Sequence, residues 1–181
     1  MRKIALLRKT LMVTAAIVVC FALVLTLSAC GEANKAVIKT ALTNDLEQLK
    51  DPTSDLWRDA IDSSGGALSA EFVSAWSKGY SFEVGEISIE GTTATAQVSI
   101  TCKQLFPVML SAQEALLNDE GLAEITEDEL LQKVEEAFIA ELDKAQPATT
   151  EFEVTCELID NVWEPTAQAT AEFEKALLGS E

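Results

Sequence analysis

Four cysteines, at positions 20, 30, 102 and 156, are the residues best able to do covalent chemistry in this chain, and no histidine is present to assist them. That removes the Ser-His and Cys-His nucleophile pairs and the histidine-containing zinc sites. No Cys-x-x-Cys spacing occurs, so a redox-active pair is not indicated. Cys102 and Cys156 each lie on the apolar side of an alternating stretch. In an oxidising compartment they could form a disulfide closing a loop of about 54 residues, contributing roughly 4 kcal/mol; two separate buried thiols are the alternative. Ser74, Ser77 and Ser111 have no visible general base and no nucleophile-elbow motif. The acidic groups Asp119-Glu120, Glu127-Asp128-Glu129 and Glu135-Glu136 do not follow the calcium-loop pattern. Helix-start charge and a solvated helix face account for them. The chain is therefore expected to need no metal and no cofactor and not to be an enzyme.

Aromatic residues offer a second kind of chemistry, a binding pocket. Trp57, Trp76, Trp163 and Tyr80 sit at spacings that more often mean core. Should helices close over one face of a sheet, Trp76, Phe82, Val84 and Phe138 are the residues that would line a cavity for a small apolar ligand.

The elements that must position these residues follow from periodicity. Ile38, Leu42, Leu46 and Leu49 share one helical face within 33–50, and Asp51-Pro52 stops that helix. Thr53 or Ser54 and then Ser69 can cap two short helices, carrying Trp57 and Trp76, with Gly79 expected in the left-handed region at the end of the second. The period then changes to two. Phe82 and Val84 alternate, and the parity shifts before Ile87 and Ile89, which predicts a β-bulge at Gly85. A turn at Glu90-Gly91 returns the chain with Ala94, Ala96, Val98, Ile100 and Cys102 on one face, Ile89 opposite Thr92 and Ile87 opposite Ala94. Pro107 suits the first turn of a further helix. Thr126 and Glu129 form a capping box that opens the longest helix, which Pro147 closes. Phe152 to Leu158 alternate as a third strand, Asp160-Asn161 turns, and Val162-Trp163 begins a short fourth. A helix over 169–178 ends the chain.

The beginning of the chain is different in kind. Arg2, Lys3, Arg8 and Lys9 precede an uncharged apolar run over 10–29, the layout of a secretory signal. It ends in Leu27-Ser28-Ala29-Cys30, which resembles the lipobox of bacterial, in particular Gram-positive, lipoproteins. The resemblance implies that Cys30 is diacylated, that signal peptidase II removes residues 1–29, and that the protein sits on the outer face of the cytoplasmic membrane. Two acyl chains at about 0.8 kcal/mol per buried CH₂ hold a protein effectively permanently. The alternative is an uncleaved transmembrane helix, since the apolar run is long enough to span a bilayer. Residues 30–35 then read as a short lipidated tether and 36–181 as one domain. All thirty acidic residues follow Cys30, with only nine of the thirteen basic ones, a net charge of −21 beyond that point. Such a surface does not suit nucleic acid or anionic lipid.

Helices, a bulged hairpin, a helical insertion, another strand pair and a last helix make an α+β domain: helices packed on a curved antiparallel sheet of three to four strands, behind an N-terminal signal helix. On that element order, the hairpin over 82–102 and the late Asp160-Asn161-Val162-Trp163 turn, the domain resembles cystatin-like or nuclear-transport-factor-like cone folds among small lipoproteins. Fold likeness does not supply activity. The expectation is a membrane-anchored interaction module with an unidentified protein partner, the alternative being a binder of a small apolar ligand.

Overall fold

The structure is a computed structural model and describes residues 31–64, 68–118 and 126–179, with the backbone alone at 127 and 128. The lipobox, Cys30 and the apolar run before it lie outside the described residues, as does Asp119-Glu120. Six helices and one four-stranded antiparallel sheet make an α+β domain among the described residues. The helices are α1 Gly31–Lys50, α2 Asp55–Ser63, α3 Ala70–Ser77, α4 Leu105–Leu117, α5 Glu127–Lys144 and α6 Ala167–Leu178. The strands β1 Ser81–Glu90, β2 Thr93–Cys102, β3 Ala148–Ile159 and β4 Val162–Pro165 form a meander in the order β1-β2-β3-β4.

Local chemistry sets the helix boundaries. Ser54, Ser69 and Thr166 cap α2, α3 and α6 through side-chain oxygens that accept from Trp57, Phe72 and Ala169 N–H. At α5 the Thr126 hydroxyl accepts from Glu129 N–H at 3.3 Å, while the Glu129 carboxylate accepts from Thr126 N–H at 2.8 Å. The Thr126 N–H and hydroxyl both donate to that carboxylate, which favours its charged form and holds Glu129 below its ordinary pKa. Helix α1 begins at Gly31, so residues 31–35, read above as part of the tether, are helical. No helix breaker lies between Glu32 and Lys50, and a Glu32–Lys35 ion pair at 3.2 Å spans the first turn.

The hairpin keeps the expected apolar faces but shifts its turn. Ile89 pairs with Ala94 and Ile87 with Ala96, two residues beyond the simple expectation, with Gly91-Thr92 between the paired Glu90 and Thr93. Gly91 has φ +63° and Thr92 does not lie in the left-handed region, the pattern of a type II′ turn with glycine first. A slip of two preserves which side each residue faces, and so alternation alone does not detect it. The bulge lies between Val84 and Ile87 as expected. The β3–β4 turn has Asp160 and Asn161 at φ 51° and 65°, a type I′ turn. Gly79, in contrast, does not take the left-handed region. A Cβ there would meet Lys103 Cγ at 3.1 Å and Pro147 Cγ at 3.3 Å, so close approach, not turn geometry, favours glycine.

The two faces of the sheet have separate environments. Inward, Val84, Ile87, Ala94, Ala96, Val98, Ile100, Phe152, Val154 and Trp163 are buried in one continuous core with Ile38, Leu42, Leu46 and Leu49 of α1 and Phe173 and Leu177 of α6. Outward, the alternate residues stay exposed or half-exposed, even on the central strands: Gln97 and Glu153 are exposed and Thr95 and Ser99 only part-buried. Small inward residues on β2 allow α1 and α6 to seat closely on the sheet.

Candidate functional site

The cysteines are separated by register. Cys102 pairs with Ala148 at one end of the β2–β3 ladder and Cys156 with Ala94 near the other. Eight residues of strand at about 3.3 Å each lie between their levels, far beyond the roughly 7 Å Cα limit for a disulfide. The expected bridge between Cys102 and Cys156 is therefore overturned; both are free, buried thiols. Burial pushes the Cys102 thiol up to about 12 and that of Cys156 to about 11, which suppresses the reactive thiolate. Cys102 Sγ–H reaches the Ala176 carbonyl at 3.5 Å and serves as packing between β2 and α6.

The pocket expected around Trp76, Phe82, Val84 and Phe138 is replaced by packed core. Trp76 stacks edge-on against Trp57 at 5.4 Å and lies 5.2 Å from Tyr80, whose ring is 6.2 Å from Phe82. Phe138 packs on Phe72 at 6.3 Å, and Val84 is buried in the sheet core. Trp57 Nε1–H donates to the Leu49 carbonyl at 2.9 Å and Trp76 Nε1–H to that of Lys103 at 3.0 Å, so both indoles are pinned and their rings fill space. A cavity of about 20 Å³ does occur, between Leu42, Leu46, Val98, Val154 and Phe173, away from all four expected residues. It has room for about one water, against several hundred Å³ for a drug-sized ligand.

A second depression, an open groove of about 310 Å³, lies where α4 begins and α5 ends, lined by Gln104, Val108, Ser111, Glu141, Lys144 and Gln146. Lys144 Nζ bonds Glu141 Oε1 at 2.6 Å within it. The groove was not legible from sequence, because α4 and α5 meet only through tertiary packing; Ser111, set aside above as a nucleophile, is one of its lining residues. Among the described residues, no three Cys, Asp or Glu side chains gather to hold a metal ion. Of the acidic groups singled out, Glu129 is occupied in its cap and Glu136 accepts from Gln132 at 2.9 Å.

The outer sheet face is an organised polar surface. The four strands carry seven glutamates and no lysine or arginine. Rows cross the strands: Ser81, Thr101 and Thr149; then Glu83, Ser99 and Glu151. The Thr101 and Thr149 hydroxyls bond at 2.8 Å, and Gln97 Nε2–H donates to Glu153 Oε1 at 2.7 Å. On β2, Thr95, Gln97, Ser99 and Thr101 each lie between two buried neighbours, which fixes the backbone that carries them.

Among the described residues, Asp45 is the one carboxylate that burial perturbs strongly. On α1, beside the stripe of Leu42, Leu46 and Leu49, it is half-buried and its Oδ2 has no protein partner. Desolvation raises its pKa to about 6. Tyr80 Oη and Trp163 Nε1 are likewise buried without a protein partner, and burial, with the charges of Cys102 and Glu47, drives the Tyr80 phenol upward.

No family model matches the chain, and no curated protein matches it. Among solved structures it is similar to a presumed lipoprotein, ycdA, of Bacillus subtilis, with 19% identity and a TM-score of 0.41 over 76% of this chain. The match spans 46% of that protein, about half its length.

Proposed function

We propose that this chain is a lipid-anchored extracytoplasmic module that works by binding a protein partner and not by catalysis. The lipobox supports the anchor, and the observation that carries the binding role is the open outer face of the sheet. A four-stranded face left uncovered, with ordered rows of hydroxyls, amides and carboxylates, is a preorganised surface. The filled core beneath it keeps that surface stiff. Surface binding also fits the acidic charge, which maintains solubility and steers cationic groups.

Metabolic labelling with radiolabelled palmitate tests the anchor: the wild-type chain takes up label and Cys30→Ala does not. A label-free wild-type chain overturns it. For the binding role, a photo-crosslinking residue at Gln97 in intact cells yields one discrete adduct, while the same residue at the exposed Ser74 on α3 does not. Equal, diffuse adducts from both positions overturn the assignment of the open face.

A further inference from the structure

Which end of the domain faces the membrane follows from the course of α1. The sheet has two unlike ends. At one, β1 begins and β2 leads into α4, with Ser81 opposite Thr101 and Cys102 opposite Ala148. At the other lie both tight turns, where Glu90 pairs with Thr93 and Ile159 with Val162.

Helix α1 has its C-terminal part at the first of these ends. The Leu49 carbonyl accepts from Trp57, whose ring meets Trp76, and Trp76 in turn donates to the Lys103 carbonyl just past β2. The charge of Glu47 is felt by Tyr80, the residue before β1. One and two turns earlier, Leu46 and Leu42 reach the middle of the sheet, beside Val98, Val154 and Pro165. Pro165 is paired with Cys156, near the turns. Helix α6 gives the same scale independently, starting after Pro165 and reaching Cys102 with Ala176. Helix α1 therefore runs from the turn end toward the α4 end. Ile38 is its first buried residue, and the seven residues before it, about 10 Å of helix, continue past the core with exposed or half-exposed side chains.

We infer that α1 is a rigid stalk that brings the anchor out at the turn end of the sheet, so that the bilayer faces the β1–β2 and β3–β4 turns and the end where α4 begins and α5 ends lies away from it. This rests on the lipid-anchor reading above, since it is acylated Cys30 that would join the bilayer to Gly31. The stalk is stiff for a physical reason. Its first turns extend a helix already docked through four buried residues, so they carry no nucleation cost. The Thr40 hydroxyl bonds the Ala36 carbonyl at 2.8 Å, and Glu32 pairs with Lys35. The facing end carries Glu90 and Asp160 at the turns, with Glu157 and Glu164 behind them. Those charges keep the domain from settling onto an anionic surface. The groove between α4 and α5 and the upper rows of the open face are then presented outward.

Fluorescence quenching by a headgroup-labelled lipid tests this with the lipidated full chain in phosphatidylcholine–phosphatidylglycerol vesicles. The two native thiols beyond Cys30 are buried, so a maleimide dye reports only an introduced cysteine. Thr92→Cys, in the β1–β2 turn, is expected to be quenched at least threefold more than Gln146→Cys, before β3. Inserting six Gly/Ser residues after Gly31 should bring that ratio close to one. Equal or reversed quenching in the uninterrupted chain, with protein still pelleting with the vesicles, overturns the orientation and leaves the anchor standing. Failure of the lipidated preparation to pellet, with no difference from Cys30→Ala, overturns both.

Discussion

The inner and outer faces of the sheet are built from the same strands, one residue apart, yet they obey different rules. Inward, Ala94, Ala96, Val98 and Ile100 are fixed by what must fit beneath α1 and α6. Outward, Thr95, Gln97, Ser99 and Thr101 meet the outward residues of the neighbouring strands, among them Glu153 and Thr149, and solvent. Alternation at period two delivers both patterns from one stretch of chain. The difference teaches that core packing and the ordered polar surface are built by opposite faces of the same strands. The inward face is filled by packing against α1 and α6, and the outward face contributes little to folding.

The largest expected effect breaks the inner side. Trp76→Ala removes a fully buried ring touching Trp57 and Tyr80 and should cost about 4 kcal/mol, read as a fall in the urea midpoint; a loss below 1 kcal/mol would mean the aromatic cluster is not core. Gly91→Ala, which places a Cβ at φ +63° in the β1–β2 turn, should cost about 1 kcal/mol. The same change at Gly85 should be nearly silent, since a Cβ there meets Gln97 at an ordinary 3.4 Å.

Asp45 sharpens the inner side through pH. Its folded pKa, about 6, is above its ordinary value of 3.8. Stability is thus fully present below that ordinary value and is lost as pH rises through 6. Because Asp45 is only half-buried, the loss should be about 1 kcal/mol after screening. Asp45→Asn should abolish that slope between pH 4 and 7 and be the more stable chain at pH 8; a wild-type profile flat across this window would refute the assignment. On the outer side, Gln97→Ala removes one exposed hydrogen bond to Glu153 and should change stability by less than about 0.5 kcal/mol, read as the urea midpoint. The smallest effect is that of reduction. Dithiothreitol should leave the melting temperature unchanged, and two thiols beyond Cys30 should become reactive only on unfolding.

Much of the fold was legible because its signals are local. The capping box at Thr126 and Glu129, the parity change at Gly85 and the Asp160-Asn161 turn each involve residues within a few positions of one another, and all three stand in the structure. The candidate site was less legible. The Trp76, Phe82, Val84 and Phe138 set is correctly apolar and inward, but whether apolar residues enclose a void or fill it depends on how α1, α3 and α5 seat on the core. The two-residue shift of the hairpin register went unseen because each face keeps its composition under that shift.

By itself, then, the sequence determined the lipobox-like pattern at Leu27 to Cys30, the division of charge about it, the alternation of the strands and the ends of most helices. Only the tertiary structure decided that Cys102 and Cys156 stand at opposite ends of a ladder, that the core is filled, and that α1 starts at once and emerges by the turns. The reason is physical: periodicity and capping are short-range properties of a chain, whereas register, packing volume and helix direction are set by contacts between residues far apart along it.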